Sequence, residues 1–257
     1  MATSADIAAY LDALLHTSEI ADYAPALNGL QLANRGSITK VAAAVDLSRA
    51  TVDGAIAAGA NLLLVHHGMF WGGLRPIRGA LYERVARLVE ADVAVYASHL
   101  PLDAHPTLGN NVLLAAELGL VPSGPFAHHQ ETAIGVRGES DLATAELVER
   151  ARRFARSHGG DVRTSELTPG RLTRRWGICT GAGADADTLR EAVAERLDTL
   201  VVGEGPHWTA VDAPELGLAI IYAGHYATET LGVRALAAHV GERFGLPWTF
   251  VHAPTGL

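Results

Sequence analysis

Three stretches of the sequence end in side chains suited to holding metal ions. NLLLVHH closes on His66 and His67 and is followed at once by Gly68. SHLPLDAH offers His99, Asp103 and His105, and AGHYATET offers His225 and Glu229 four positions apart. Successive strand residues point to opposite faces, so His66 and His67 converge only where the chain leaves its sheet, a turn that Gly68 makes feasible. The spacing of His225 and Glu229 puts both on one side of a helix that starts early. A helix N-terminus repels a cation, and the Glu229 carboxylate offsets that dipole. Any one histidine is more often a core or surface residue than a ligand. Together, His-His, His-x3-Asp and His-x3-Glu at three strand ends suit Zn, Mn, Fe or Co. Several imidazoles plus two carboxylates exceed the needs of one tetrahedral ion, so the set reads as a two-metal centre bridged by a carboxylate or hydroxide.

Other chemistries lack their residues. There is no GxxxxGK[ST], and the one lysine, Lys40, opens a strand, which excludes a P-loop and leaves Schiff-base chemistry poorly placed. No Gly-rich turn follows the first strand in the manner of a dinucleotide fold, and GxSxG is absent. The single cysteine, Cys179, sits in the strand-like run WGICTG and reads as structural. It also rules out a disulfide framework and thiolate-only metal sites. The HxH and HxHxDH ligand runs of other metallohydrolases are missing too.

The elements that must position these residues alternate regularly. Strands are expected over Lys40–Asp46, Asn61–His67 and Val93–His99, with helices from the Ser48 cap through Gly59, over Leu81–Ala91 and over Asn110–Leu118. Strands separated by helices imply βαβ units and a parallel sheet whose C-terminal strand ends carry the site. Val121–His129, with two prolines and a glycine, reads as a break. A second α/β stretch follows, with strands Ala133–Arg137, Arg175–Thr180 and Thr199–Gly203 and helices Leu142–Ser157 and Asp187–Arg196. The finish is strand Leu218–Ala223, helix Thr228–Phe244 and strand Trp248–His252. The expected fold is α/β, with two domains of mostly parallel sheets flanked by helices. Residues 1–125 and 218–257 would form the metal-binding domain, with 126–217 inserted as the second.

Composition narrows the partners. The 257 residues carry 20 Lys+Arg against 28 Asp+Glu, a net charge of −8, so nucleic acid is not an expected partner. The start, MATSADIAAYLDALLH, reads as an amphipathic helix capped by Ser4 rather than an export signal, and no apolar run can span a bilayer. A cytoplasmic location is expected, with no membrane partner.

NGLQ (Asn28–Gln31), VHHGMFW (Val65–Trp71), HLPLDAHPTLGNN (His99–Asn111), VVGE (Val201–Glu204) and GHYATE (Gly224–Glu229) resemble motifs of one family. It is that of the dinuclear metal centre proteins, NIF-three-like and also labelled GTP cyclohydrolase I type 2 homologues. The motifs keep the family's order from Ala21 to His252, in its short form. The resemblance implies two divalent metals (Zn, Mn, Fe or Co) on His66, His67, Asp103, His225 and Glu229, with Glu229 as bridge. His99 would then stand behind them, holding Asp103 or a bound water. A ring-shaped homohexamer is implied as well. Glu204 and His207 follow a strand end and are candidates for lining the pocket, and His99 or Glu204 for acid–base work. Asn28 and Gln31 read equally as turn residues or substrate contacts, Trp71 and Phe70 as packing, and His128 and His129 as surface residues. The function this points to is a dinuclear metal-dependent hydrolase, acting on GTP or a related nucleotide by ring opening through a metal-bridged hydroxide. The alternative is a non-enzymatic metal-binding regulatory or scaffold protein forming the same ring.

Overall fold

The computed structural model describes residues 2–257. In chain order its strands are β1 (Gly29–Leu32), β2 (Val41–Asp46), β3 (Leu62–His67), β4 (Ala94–Ala97), β5 (Pro122–His129), β6 (Thr132–Ala143), β7 (Arg163–Thr164), β8 (Leu172–Cys179), β9 (Thr199–Val202), β10 (Ala219–Tyr222) and β11 (Trp248–Phe250). The helices are α1 (Ser4–Leu14), α2 (Arg49–Ala57), α3 (Ala80–Glu90), α4 (Leu100–Asp103), α5 (Asn110–Glu117), α6 (Thr144–Ser157), α7 (Ala186–Ala194), α8 (His207–Glu215) and α9 (His225–Phe244). None is long and apolar enough to cross a membrane.

The chain divides into two compact units, Met1–His105 with Gly232–Ala253, and Pro106–Leu231 with Pro254–Leu257. In the first, five strands run in the order β1-β4-β3-β2-β11, parallel except for β1 against β4. Every residue of β3 is buried, as its unbroken apolar run requires of a strand covered on both faces. Alternate residues Ala42, Ala44, Leu63, Val65, Val95 and Ala97 pack with Val52 and Ala55 of α2 and Leu81 and Leu88 of α3. From another strand position the Tyr96 hydroxyl donates to Asp12 of α1 at 2.9 Å. Ser48 caps α2 through Thr51, as its sequence suggests. Helix α1 is capped by Thr3 rather than Ser4, because Thr3 and Asp6 exchange the two hydrogen bonds of a capping box.

The second unit holds six strands in the order β5-β6-β8-β9-β10-β7. Only β8-β9-β10 are parallel, so this sheet is mixed rather than mostly parallel. Trp176, Ile178, Val201 and Ile221 pack with α5 and α6, whereas Leu200, Val202 and Ile220 pack with α7 and α8. Two expectations shift here. The Pro-containing stretch taken as a break is strand β5, which tolerates its prolines because it lies at the sheet edge. Strand β10, expected with the first domain, pairs parallel with β9 instead. Its short apolar run suits the centre of either sheet, so the sequence pattern alone does not assign it. The divisions fall at 105/106, 231/232 and 253/254, where the expected ones lay at 125/126 and 217/218.

Candidate metal centre

In the first unit the site begins where β3 ends. Asp46 and His67 are register partners on neighbouring parallel strands, and His67 Nδ1 lies 2.8 Å from Asp46 Oδ1. His66 Nδ1 lies 2.9 Å from the Ser98 carbonyl oxygen, just past β4. The two rings are 4.9 Å apart at their centroids and both residues are buried. Gly68 then turns the chain. A Cβ there would run into the Gln31 amide and lie 2.7 Å from the Ala97 side chain. Gln31 uses that space to accept from the Met69 amide at 2.6 Å while donating to the Ala26 and Leu27 carbonyls.

Strand β4 stops at Ala97, and His99 opens the single turn α4 that ends at Asp103. Asp103 Oδ2 lies 3.5 Å from His66 Nε2. His99 Nδ1 is 2.8 Å from Asp22 Oδ1, and the His99 amide donates to Asn28 Oδ1 at 2.8 Å. One ligand atom each from His66, His67 and His99 lies within 4.8 Å of the others. His99 thus brings a possible ligand atom to the same group as His66 and His67. Trp71 covers the group, stacked on His67 with centroids 4.6 Å apart and tilted against His99 at 4.4 Å.

The donors of the second unit lie at the start of α9, which begins at His225, three residues before the expected Thr228. His225 and Glu229 consequently share a face, with Nε2 and Oε1 3.2 Å apart. His225 Nδ1 is 2.8 Å from Glu204 Oε1, in the loop after β9. Gly181, with φ +61°, comes so close that a Cβ would collide with the Glu229 carboxylate.

One pattern recurs in both units. Each of the four imidazoles offers Nδ1 to an oxygen: the Ser98 carbonyl, or a carboxylate of Asp46, Asp22 or Glu204. Such oxygens accept hydrogen bonds, so Nδ1 carries the proton and a neutral ring keeps its lone pair on Nε2. Metal-ligating histidines are oriented this way, and nitrogen and carboxylate oxygen suit the Zn, Mn, Fe and Co class. By donor chemistry the buried group His66, His67 and His99 fits a divalent cation, and His225 with Glu229 offers a nitrogen and a carboxylate oxygen of the same kind.

Electrostatically the histidines differ. Burial holds His99 below the usual imidazole range against the opposing pull of Asp22 and Asp103, so its ring is neutral at physiological pH. Burial alone would raise Asp22, but hydrogen bonds from His99, Asn28 and Leu100 outweigh it and keep the carboxyl ionised. For His225, burial works against the charge, yet Glu229 and Glu204 prevail and raise it to about 9.

The remaining candidates divide clearly. His105 does not join the group of three, and burial with the nearby His239 and His16 keeps it low. His128 pairs with Glu191 at 2.8 Å on the surface, and His207 is exposed at the start of α8. Cys179 is buried in an apolar cluster. Asn28 and Gln31 hold backbone and side chains of the site in place. Asp22 and Asp46 escaped the sequence reading. For Asp46 a signal existed, since VAAAVD and LLLVHH both end an apolar strand in a polar residue.

Residues 2–255 match the family described as Duf34/NIF3 (NGG1p interacting factor 3). A relative from Deinococcus radiodurans named GTP cyclohydrolase 1 type 2 homolog is 44% identical over 239 residues, covering 91% of this chain and 87% of its own. One of the same name from Halobacterium salinarum is 43% identical over 242 residues, 93% of this chain and 94% of its own. Among solved structures, the protein ybgI, described as of unknown function, is similar with a TM-score of 0.88 and 33% identity, over 99% of this chain and 100% of that one. With the fold, both donor groups and these likenesses in agreement, the chain belongs to the Duf34/NIF3 family.

Proposed function

We propose that this protein is a metal-dependent hydrolase in which His66, His67 and Asp103 act together with His225 and Glu229 to hold two divalent ions. The observation that carries this reading is the shared anchoring of four imidazoles through Nδ1, which prepares nitrogen donors at the strand ends of one unit and the helix start of the other. Bound divalent ions lower the pKa of water and neutralise charge on the group under attack. The chain's own residues supply the rest. Neutral His99 can take up a proton at Nε2 and return it to a leaving group, which makes it the acid–base candidate. Glu204 is committed to His225 Nδ1 and serves to orient that ring. Trp71 shields one side of His67 and His99 from water. The names of the relatives support GTP or a related nucleotide as substrate, with ring opening as the reaction. A cytoplasmic, ring-shaped homohexamer belongs to the same proposal.

The test is to reconstitute the protein with Zn, Mn, Fe or Co and offer it a nucleotide panel that includes GTP, monitoring formate and phosphate. Elemental analysis should give about two metals per chain. Turnover should fall by at least about a hundredfold in His67→Ala and in Glu229→Ala. No turnover of any panel member, or full activity in both variants, would overturn the reading.

A further inference from the structure

The four anchors are not alike, and Asp22 is the most heavily engaged. Its side chain is only 6% exposed, although it belongs to no regular element. Burying a carboxylate is unfavourable unless its oxygens are well supplied with donors. Here Oδ1 takes His99 Nδ1 at 2.8 Å and the Tyr23 amide at 2.6 Å, while Oδ2 takes Asn28 Nδ2 at 2.8 Å and the Leu100 amide at 2.9 Å. We propose that Asp22 is a positioning residue that fixes the Nδ1–H tautomer of His99 and so keeps its Nε2 lone pair available to the site it shares with His66 and His67. All four groups around Asp22 are donors, which gives its charge a specific use.

An amide in place of the carboxylate could not satisfy them. A Leu100 N–H cannot reverse its polarity, and Asn28 is pinned because its own Oδ1 accepts the His99 amide. The Tyr23 amide, like that of Leu100, can only donate. Imidazole is the one partner able to exchange donor for acceptor. Asp22→Asn would therefore place its NH2 against His99 Nδ1 and drive the proton to Nε2, turning the lone pair away from the site. This is the logic by which an Asp-to-Asn change beside a catalytic histidine installs the wrong tautomer.

The tautomer can be read on metal-free, full-length protein by ¹⁵N NMR of labelled histidines at neutral pH, with His99→Gln assigning the signal. The expected result is Nδ1 protonated and Nε2 bare in the wild type, inverted in Asp22→Asn. Zn²⁺ affinity, measured by competition with a chelating dye, should fall about 10- to 100-fold in the same variant. Asn28→Ala removes a donor to Asp22 and the acceptor of the His99 amide but leaves the Asp22 carboxylate for His99 Nδ1, and should keep the wild-type tautomer, which a merely structural role would not distinguish. A wild-type His99 with its proton on Nε2 overturns the proposal even if Asp22→Asn does not fold. So does a folded Asp22→Asn with unchanged tautomer. The proposal rests on the metal-centre reading only through the Zn²⁺ measurement, because the tautomer is observed without metal or substrate and stands whether or not the hydrolase reading does.

Discussion

The two donor groups solve the same problem with opposite resources. In the first unit, His66, His67, His99 and Asp103 are all buried, and the anchors include a backbone carbonyl. In the second, His225 lies between two carboxylates, one of them, Glu204, with a side chain 44% exposed. The first group keeps His99 neutral by desolvation, while the second keeps His225 charged by surrounding it with anions. A donor that is neutral beforehand binds a metal without losing a proton; one that is charged must lose one. Burial and charge thus prepare different steps of metal uptake.

The largest expected effect separates the groups through pH. With His225 at about 9, metal binding must displace its proton, so apparent Zn²⁺ affinity should rise about tenfold per pH unit from pH 7 until pH 9. Calorimetric titrations in buffers of different ionisation enthalpy would count the proton released, and a pH-independent affinity over this range would break the comparison. The same group makes the metal-free fold pH-dependent in the opposite sense. Its folded pKa exceeds the unfolded value of 6.5, so its stabilisation is complete below about 6.5 and is lost as pH rises through about 9. Thermal melting of the chelated protein across that window, with Glu229→Gln weakening the dependence, checks the sign.

Smaller effects probe the supports. At Gly181 a side chain meets both left-handed backbone and the Glu229 carboxylate, so Gly181→Ala should cost about 2 kcal/mol in urea unfolding and weaken metal binding together. Gln31→Ala should cost about 1 kcal/mol by leaving the Met69 amide without its acceptor, with Zn²⁺ affinity changed less than by Gly181→Ala. Equal effects on affinity would show that the two supports are equally coupled to their donors.

Much of this was legible in the sequence because the donors coincide with breaks in periodicity. His66 and His67 interrupt an apolar run, and the four-residue spacing of His225 and Glu229 needed only an early helix start. Asp22 could not be found that way, since it lies in an irregular segment and meets His99 only through the tertiary fold. Glu204 was found, but its engagement with His225 follows from how β9 and α9 are brought together, which spacing does not encode. The placement of β10 and the strand character of β5 were hidden for different reasons. An apolar run such as AIIY suits the centre of either sheet, and prolines mask a strand that lies at an edge.

The position of β11 has a consequence for how the protein is made. Trp248–Phe250 pairs with Val41–Ala43, so the sheet under His66 and His67 gains its last strand from near the end of the sequence. During synthesis all the first unit's donors emerge early, yet their platform waits for the whole second unit to be translated. Pairing so distant in sequence is intrinsically slow, because a long loop must close before any contact rewards it. The second unit draws all six of its strands from one continuous stretch and can assemble first. Until β11 arrives, β2, the neighbour of the strand that carries His66 and His67, is left as an open sheet edge.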